Sequence, residues 1–369
     1  MKEQILLSDI VGYLETQAPS ALQESYDNAG LQTGELSQTI HSALVTIDIT
    51  EEVLEEALAL KANLIISHHP LIFGGLKRIS GSTVVEKILI KAIRNHIAIL
   101  AVHTNLDNVE GGVNSKLAEK LGLTQCRILQ TAKGKLRKLV TFVPVEHLSI
   151  VRQAIFDAGA GHIGNYDQCS FHLDGYGTFR GNDQTHPFVG EPGKMHTEKE
   201  VRLETIFPHW LEAQIIRAML EAHPYEEVAY DIYSLENSYG KSGAGIIGNL
   251  PEPLDEVRFL QKIQQSFGVQ VIRHSPLLNK PVSRVALCGG AGSFLLKDAL
   301  SAGADFFISG DIKYHQFFEP AGKIVMADIG HYESEQFTKE LFYELLTKKF
   351  PTFAVHLSEV NTNPVCYYR

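Results

Sequence analysis

The sequence predicts an α/β protein whose body, with mixed or largely parallel sheets, is interrupted by an inserted α+β domain of ferredoxin-like type. Three observations carry this. Short apolar runs alternate with helix-length amphipathic stretches up to about residue 129, and the same alternation returns after about residue 240. Between them the order changes to strand, helix, strand, strand, helix, strand. Strands alternating with helices point to a parallel sheet covered on its faces, whereas β-α-β-β-α-β is the ferredoxin-like order. The expected boundaries are 1–129 for the first half of the body, 130–236 for the insert and 237–369 for the second half.

Each element rests on its own pattern. Residues 1–18 place Ile5, Leu6, Ile10 and Leu14 at helical spacing. A strand at 42–48 (SALVTID) precedes a helix over 50–61, with Thr50 as N-cap. A strand at 63–67 (NLIIS), a helix over 82–95, a strand at 97–102 (IAILAV) and a helix over 114–121 follow. In the insert, strands fall at 136–143, 169–177, 198–207 and 227–233, with helices over 147–159 and 208–222. The Gly-, Pro-, Asn- and His-rich stretch 178–197 reads as a long hairpin loop, of the kind that is functional or mobile. Glycines at 240, 243, 245 and 248 mark the return to the body. Strands at 282–288, 304–309 and 323–327 and helices over 294–302 and 333–349 complete it.

Composition narrows the function. Among 369 residues, 44% are apolar and 21% charged, which are globular proportions. The net charge of −10 argues against a nucleic-acid partner, since neutralising phosphates needs a basic stripe. Four widely spaced cysteines contain no C-x-x-C pair, which excludes a thiolate metal knuckle and fits a reducing compartment. The first residues lack a signal-peptide core, and no apolar run approaches the roughly 20 residues of a membrane span. The expectation is a cytoplasmic protein with neither membrane nor nucleic-acid partner.

Metal-capable side chains follow three of the expected strands. His68 and His69 come after NLIIS, His103 and Asp107 after IAILAV, and Asp328, His331 and Glu335 after the strand at 323–327. In open α/β sheets, ligands bind outside the carboxyl ends of strands. Imidazole with carboxylate favours zinc, iron, manganese or a similar ion. Side chains of adjacent residues diverge from a strand, so His68 and His69 suit two neighbouring ions better than one. His331 and Glu335, four apart, share a helical face if a helix begins near His331, and Glu335 could bridge two cations. Taken singly, each cluster has an ordinary reading: a core histidine pair, a helix cap, a solvated helix pair. Their coincidence at three strand ends is what packing does not require.

Two motifs carry less. The turn CGGAGS at 288–293 joins a strand to a helix and could cradle an anion with its N–H groups, although a tight turn explains the glycines equally well. The stretch HPYEE at 223–227 could bind a metal or small anion, but a helix-stopping turn is the simpler account.

The stretches DNAGLQTG (27–34), LIISHHPLIF (64–73), HTNLD (103–107), CGGAGS, SGD (309–311) and GHYESE (330–335) resemble those of the NIF-three-like family. These are proteins with a dinuclear metal centre, and bacterial members are commonly labelled GTP cyclohydrolase 1 type 2 homologues. The insert is similar to the PII-like domain of the longer bacterial members. The resemblance implies two divalent ions per subunit, zinc being favoured over iron or manganese. His68, Asp107 and Glu335 would hold one, and His69, His331 and Glu335 the other. It also implies a homo-oligomer, a hexameric ring whose metal sites face an internal cavity. His103 matches a family histidine beside the metals, which makes it the candidate catalytic acid/base or an accessory ligand.

Two functions of different class follow. One is a metal-dependent hydrolase of a nucleotide or similar small molecule, with GTP ring opening as the named candidate and the glycine turn as a phosphate receiver. The other is a metal-ion chaperone, store or sensor without turnover. A scaffold whose metals only stabilise a ring is a third. Nothing in the residue pattern names a substrate.

Overall fold

A computed structural model describes residues 4–368 of the chain. Residues 1–3 of the expected N-terminal helix, and the outermost residues 1–3 and 369 of the expected body halves, lie outside the described residues. The chain divides into two compact units, Met1–Gln130 with Lys241–Arg369, and Thr131–Gly240.

The first unit contains two mixed sheets. In the five-stranded sheet the order is Gly30–Thr33, Ala98–Ala101, Leu64–Ser67, Ser42–Thr46, Ala354–Leu357. All neighbours are parallel except the Gly30–Thr33 edge. The six-stranded sheet runs Arg273–His274, Val325–Asp328, Phe306–Ser309, Pro281–Leu287, Tyr239–Asp255, Thr124–Ala132. Its three central strands are parallel, and Arg273–His274 and Tyr239–Asp255 pair with them antiparallel.

The apolar runs become strands because both of their faces are buried. Val45, Ile66 and Leu100 share one core with Leu287, Ile308 and Ala327 of the other sheet. Into that core pack helices Leu7–Gln17, Val113–Leu121, Glu256–Phe267 and Thr338–Lys349, through Ile10, Leu117, Phe259 and Phe342 among others. Each such large apolar side chain contributes about 1.5–3 kcal/mol on burial. The alternate residues Leu44, Ile65 and Ile99 face helices Glu51–Ala59 and Val84–Arg94 on the outside. Both outer helices have threonine N-caps: Thr50 accepts from the N–H of Val53, and Thr83 from that of Glu86.

Some elements differ from expectation. The glycine-rich stretch after residue 239 is part of a long strand, Tyr239–Asp255, because Ile246 and Ile247 between the glycines are buried in the ladder with Pro281–Leu287. The helix expected over 333–349 is two, His331–Glu335 and Thr338–Lys349. Edge strands such as Gly30–Thr33, which has no buried residue, and Thr124–Ala132, which buries only Ile128 and Leu129, were not anticipated, since so little burial writes no apolar pattern.

The second unit is an antiparallel sheet in the order Phe171–Phe179, His196–Pro208, Leu136–Pro144, Tyr230–Leu235. Helices Leu148–Asp157 and Glu212–Ala222 cover one face through Val151, Ile155, Ile215 and Met219, which meet Leu139, Val143 and Leu203. The element order is β-α-β-β-α-β. Among the described residues no helix is long and apolar enough to cross a membrane.

Candidate metal centre

The parallel strands of both sheets in the body deliver polar side chains at their carboxyl ends. Ser42–Thr46 leads to Asp48, Leu64–Ser67 to His68 and His69, and Ala98–Ala101 to His103 and the short helix Thr104–Asp107. Phe306–Ser309 leads to Asp311, and Val325–Asp328 to His331, the first residue of the helix that ends at Glu335. Asp328 plays a structural part here rather than facing the cluster. Its carboxylate accepts from the N–H groups of Ile312 (3.0 Å) and Gly330 (2.9 Å) and pairs with Arg273, which fixes the turn before His331.

The chain thus brings together groups that lie more than 260 residues apart. His69 Nε2 is 3.0 Å from Glu335 Oε2 and 3.3 Å from His331 Nε2, which is itself 3.2 Å from Glu335 Oε2. His68 Nε2 is 3.6 Å from Asp107 Oδ1 and 3.8 Å from Glu335 Oε1. Donor atoms of His68, His69 and His103 lie within 4.8 Å of one another, as do those of His69, His331 and Glu335. Both clusters are of a kind able to hold a metal ion.

The hydrogen bonds behind the rings decide which nitrogen faces inward. The Nδ1–H of His68 donates to the Val102 carbonyl at 3.1 Å, that of His69 to Asp48 Oδ1 at 2.7 Å. His331 donates to Asp311 Oδ2 at 2.8 Å and His103 to Asp27 Oδ1 at 2.8 Å. Such outer acceptors fix tautomer and ring orientation, and they leave the Nε2 lone pairs converging. With that tautomer, His68 Nε2, Asp107 Oδ1 and Glu335 Oε2 are buried without a hydrogen-bond partner. Buried polar atoms are ordinarily satisfied. Orphaned atoms that are all electron-pair donors fit a cation.

The titration behaviour points the same way. Burial opposes a charged His69, but its hydrogen bonds to Asp48 and Glu335 outweigh this and push its pKa up to about 10. At His331 burial is likewise outweighed, by Glu335 and Asp311, and the pKa rises to about 9. Burial lifts Asp107 to about 7, against the attraction of His68. Glu335, though buried, is held well below the carboxylate range by His331, His68 and His69. The cluster attracts positive charge, whether as protons or as a metal.

The CGGAGS turn serves this centre structurally and not as an anion cradle. The N–H groups of its three glycines are already engaged: Gly289 donates to Asn114 Oδ1, Gly290 to Ser334 Oγ and Gly292 to Ser309 Oγ. Gly290 has φ +60°, and a Cβ there would lie 2.3 Å from Glu335 Oε1. In HPYEE, His223 stops helix Glu212–Ala222 and has both nitrogens in use, on the Phe142 carbonyl and the Tyr225 N–H. It has no lone pair left for a metal. Asp27, Asp48 and Asp311 were given no role from sequence. Asp48 and Asp311 do sit two residues beyond strands, but that position alone does not say which ring each would meet.

Fold and site together define a class: an α/β protein with an imidazole–carboxylate cluster, able to hold a metal ion, at converging strand ends. Residues 5–364 match the model of the family described as Duf34/NIF3 (NGG1p interacting factor 3). A Bacillus subtilis relative named "GTP cyclohydrolase 1 type 2 homolog" is 37% identical over 374 residues, covering 100% of both chains. A Mycobacterium leprae relative of the same name is 33% identical, covering 97% of this chain and 94% of its own. The crystal structure of a Bacillus cereus protein related to NIF3 superposes with a TM-score of 0.86 at 39% identity, covering 100% of both chains. One from Staphylococcus aureus gives 0.79 at 26% identity, again covering 100% of both. The chain belongs to the Duf34/NIF3 family.

Proposed function

We propose that this protein is a metal-dependent hydrolase of a nucleotide-like substrate, working with two divalent ions held by His68, His69, Asp107, His331 and Glu335. The observation that carries the metal reading is the inward convergence of His69 Nε2, His331 Nε2 and Glu335 Oε2 within 3.0–3.3 Å, with both rings anchored from behind. His68, Asp107 and Glu335 Oε1 form the other half, so Glu335 is suited to bridge. Imidazole and carboxylate favour zinc, with iron or manganese as alternatives. When bound, such a pair supplies Lewis acidity that brings the deprotonation of water close to neutral pH.

The chain's own residues supply the rest. His103, with Nδ1 tied to Asp27, presents Nε2 toward the cluster and can take a proton from the attacking water and return it to the departing nitrogen. Asp27 is held near pKa 2; its burial is outweighed by hydrogen bonds from His103 and Thr104, so it stays an acceptor throughout. Phe73 supports the substrate class. Its ring lies 6.0 Å from that of His103 and 6.5 Å from that of His69, and it is 62% exposed, a free platform for a flat heterocycle. The name of the relatives makes GTP the first substrate to try.

Purified protein loaded with zinc or manganese should hydrolyse GTP, and His69→Ala should abolish this. Activity that survives the change, or that never appears, counts against the reading. A carrier or store of metal ions is favoured by the half-exposed His331 side chain, through which an ion could leave. It predicts rapid ion exchange and no turnover on any nucleotide. In either case the working species is a homo-oligomer, a ring of six by family likeness, and light scattering measures its mass.

A further inference from the structure

Within the second unit lies a cavity of about 820 Å³ that the metal chemistry does not use. It sits on the sheet face opposite the helices. The register puts Phe142 and Leu173 beside Arg202, and Gly175 beside Glu200, on this face, while Val143, Val201 and Leu203 point to the other. The loop after Phe179 covers it, clasped where the N–H of His186 donates to Glu226 Oε1 at 2.9 Å. That loop is the Gly- and Pro-rich stretch whose composition called for a function or for mobility.

At the floor is Glu200, only 7% exposed. Its Oε1 accepts from the Tyr225 hydroxyl at 2.8 Å. Oε2 has no donor among the described residues and lies over Gly177, where a Cβ would sit 2.0 Å away. A side chain at 177 would displace the carboxylate, so glycine keeps it aimed as it is. His223 holds the arrangement from behind by accepting the Tyr225 N–H at 3.1 Å. This gives the HPYEE motif a purpose that a plain turn does not need. Around the carboxylate stand aromatic rings: Tyr225 is 6.2 Å from Phe179 and 6.3 Å from Phe188. Acidic lining residues Glu200, Glu226 and Glu227 outnumber Arg180 and Arg202, and the Arg202 Nε–H is spent on Glu204.

We propose that this cavity binds a small organic cation, an amidinium, guanidinium or ammonium group on a flat or apolar body. The charged head donates to Glu200 Oε2, and the body lies among Phe179, Phe188 and Tyr225. A carboxylate oxygen that faces the cavity without a donor is an acceptor for a cationic N–H, and such a charge-assisted hydrogen bond is stronger than a neutral one. Aromatic faces around a cation add their own attraction. The volume suits a molecule of drug-like size.

The test uses the full-length protein, with benzamidinium as probe and benzoate as its anionic isostere, followed by saturation-transfer NMR and calorimetric titration. Benzamidinium should bind saturably and benzoate should not. Glu200→Gln, which keeps the shape and the Tyr225 contact, should weaken benzamidinium at least tenfold. Phe188→Ala, at a half-exposed loop position, should weaken it at least threefold. Metal content should be the same in all three proteins. Absence of benzamidinium binding to the wild type, equal binding of benzoate, or unchanged affinity in both variants overturns the proposal. A neighbouring copy seated over the cavity would give the first of these outcomes and overturns it equally.

Discussion

His69 Nε2 and His331 Nε2 lie 3.3 Å apart while the opposite nitrogen of each ring donates to a carboxylate, Asp48 and Asp311 respectively. Two imidazole lone pairs at that separation repel unless a proton or a cation lies near both. Glu335 Oε2, 3.0 Å and 3.2 Å from the same two atoms, adds negative charge to the spot. Positive charge at that spot, as a proton or a metal ion, relieves the repulsion.

Asp48 positions His69 without facing the proposed ions. Asp48→Ala should lower metal affinity about 10–100-fold, the usual effect of losing such a partner. Competition titration against a chromophoric chelator measures this. Affinity equal to wild type would mean that the His69 ring is oriented by something else.

Gly290→Ala places a methyl 2.3 Å from Glu335 Oε1 at a backbone φ of +60°. The left-handed conformation alone costs roughly 1–2 kcal/mol for a residue with a Cβ. Melting should fall by about 2–8 °C, and metal content should fall with it because Glu335 must move. Gly289→Ala is the control. Its nearest contact would be 3.3 Å, from the Ser334 carbonyl, and it should be far milder.

The pH dependence has a definite sign. His69 and His331 rise from 6.5 to about 10 and about 9, the pull of their carboxylate partners exceeding the opposing effect of burial. Their contribution to stability is therefore complete below pH 6.5 and is lost as pH rises through 9 to 10. Asp107, lifted by burial from 3.8 to about 7, acts in the same sense at lower pH. Chelated protein should lose stability steadily from pH 4 to pH 10. Metal replaces those protons, so loaded protein should not. The melting difference between loaded and chelated samples should widen with rising pH; a gap that narrows contradicts the assignment.

Phe73→Ala should raise KM for GTP about 5–100-fold with little change in kcat, if base stacking on that ring is worth ~1–3 kcal/mol. Steady-state kinetics on metal-loaded protein separates the two constants. A loss confined to kcat would instead place the ring near the reacting atoms.

Much of this was legible in the sequence, for physical reasons that vary by element. The central strands declare themselves as unbroken apolar runs because both faces are buried, as at Leu64–Ser67 and Val325–Asp328. The polar groups follow those runs directly, so their gathering at strand ends could be read without coordinates. Edge strands gave no such signal: no residue of Gly30–Thr33 is buried, and in Thr124–Ala132 only Ile128 and Leu129 are. The roles of Asp27, Asp48 and Asp311 were hidden because they depend on which ring nitrogen each meets across the fold. The glycine turn left two readings open for a related reason, since the partners of its glycine N–H groups, Asn114, Ser334 and Ser309, come from elements distant in sequence.

The most direct measurement is the metal stoichiometry of single variants by elemental analysis after reconstitution and desalting. Wild type should retain two divalent ions per chain, Asp107→Ala one, and Glu335→Ala none held tightly. A wild type that retains no ion, or a Glu335→Ala protein that retains both, would contradict a centre built on these five side chains.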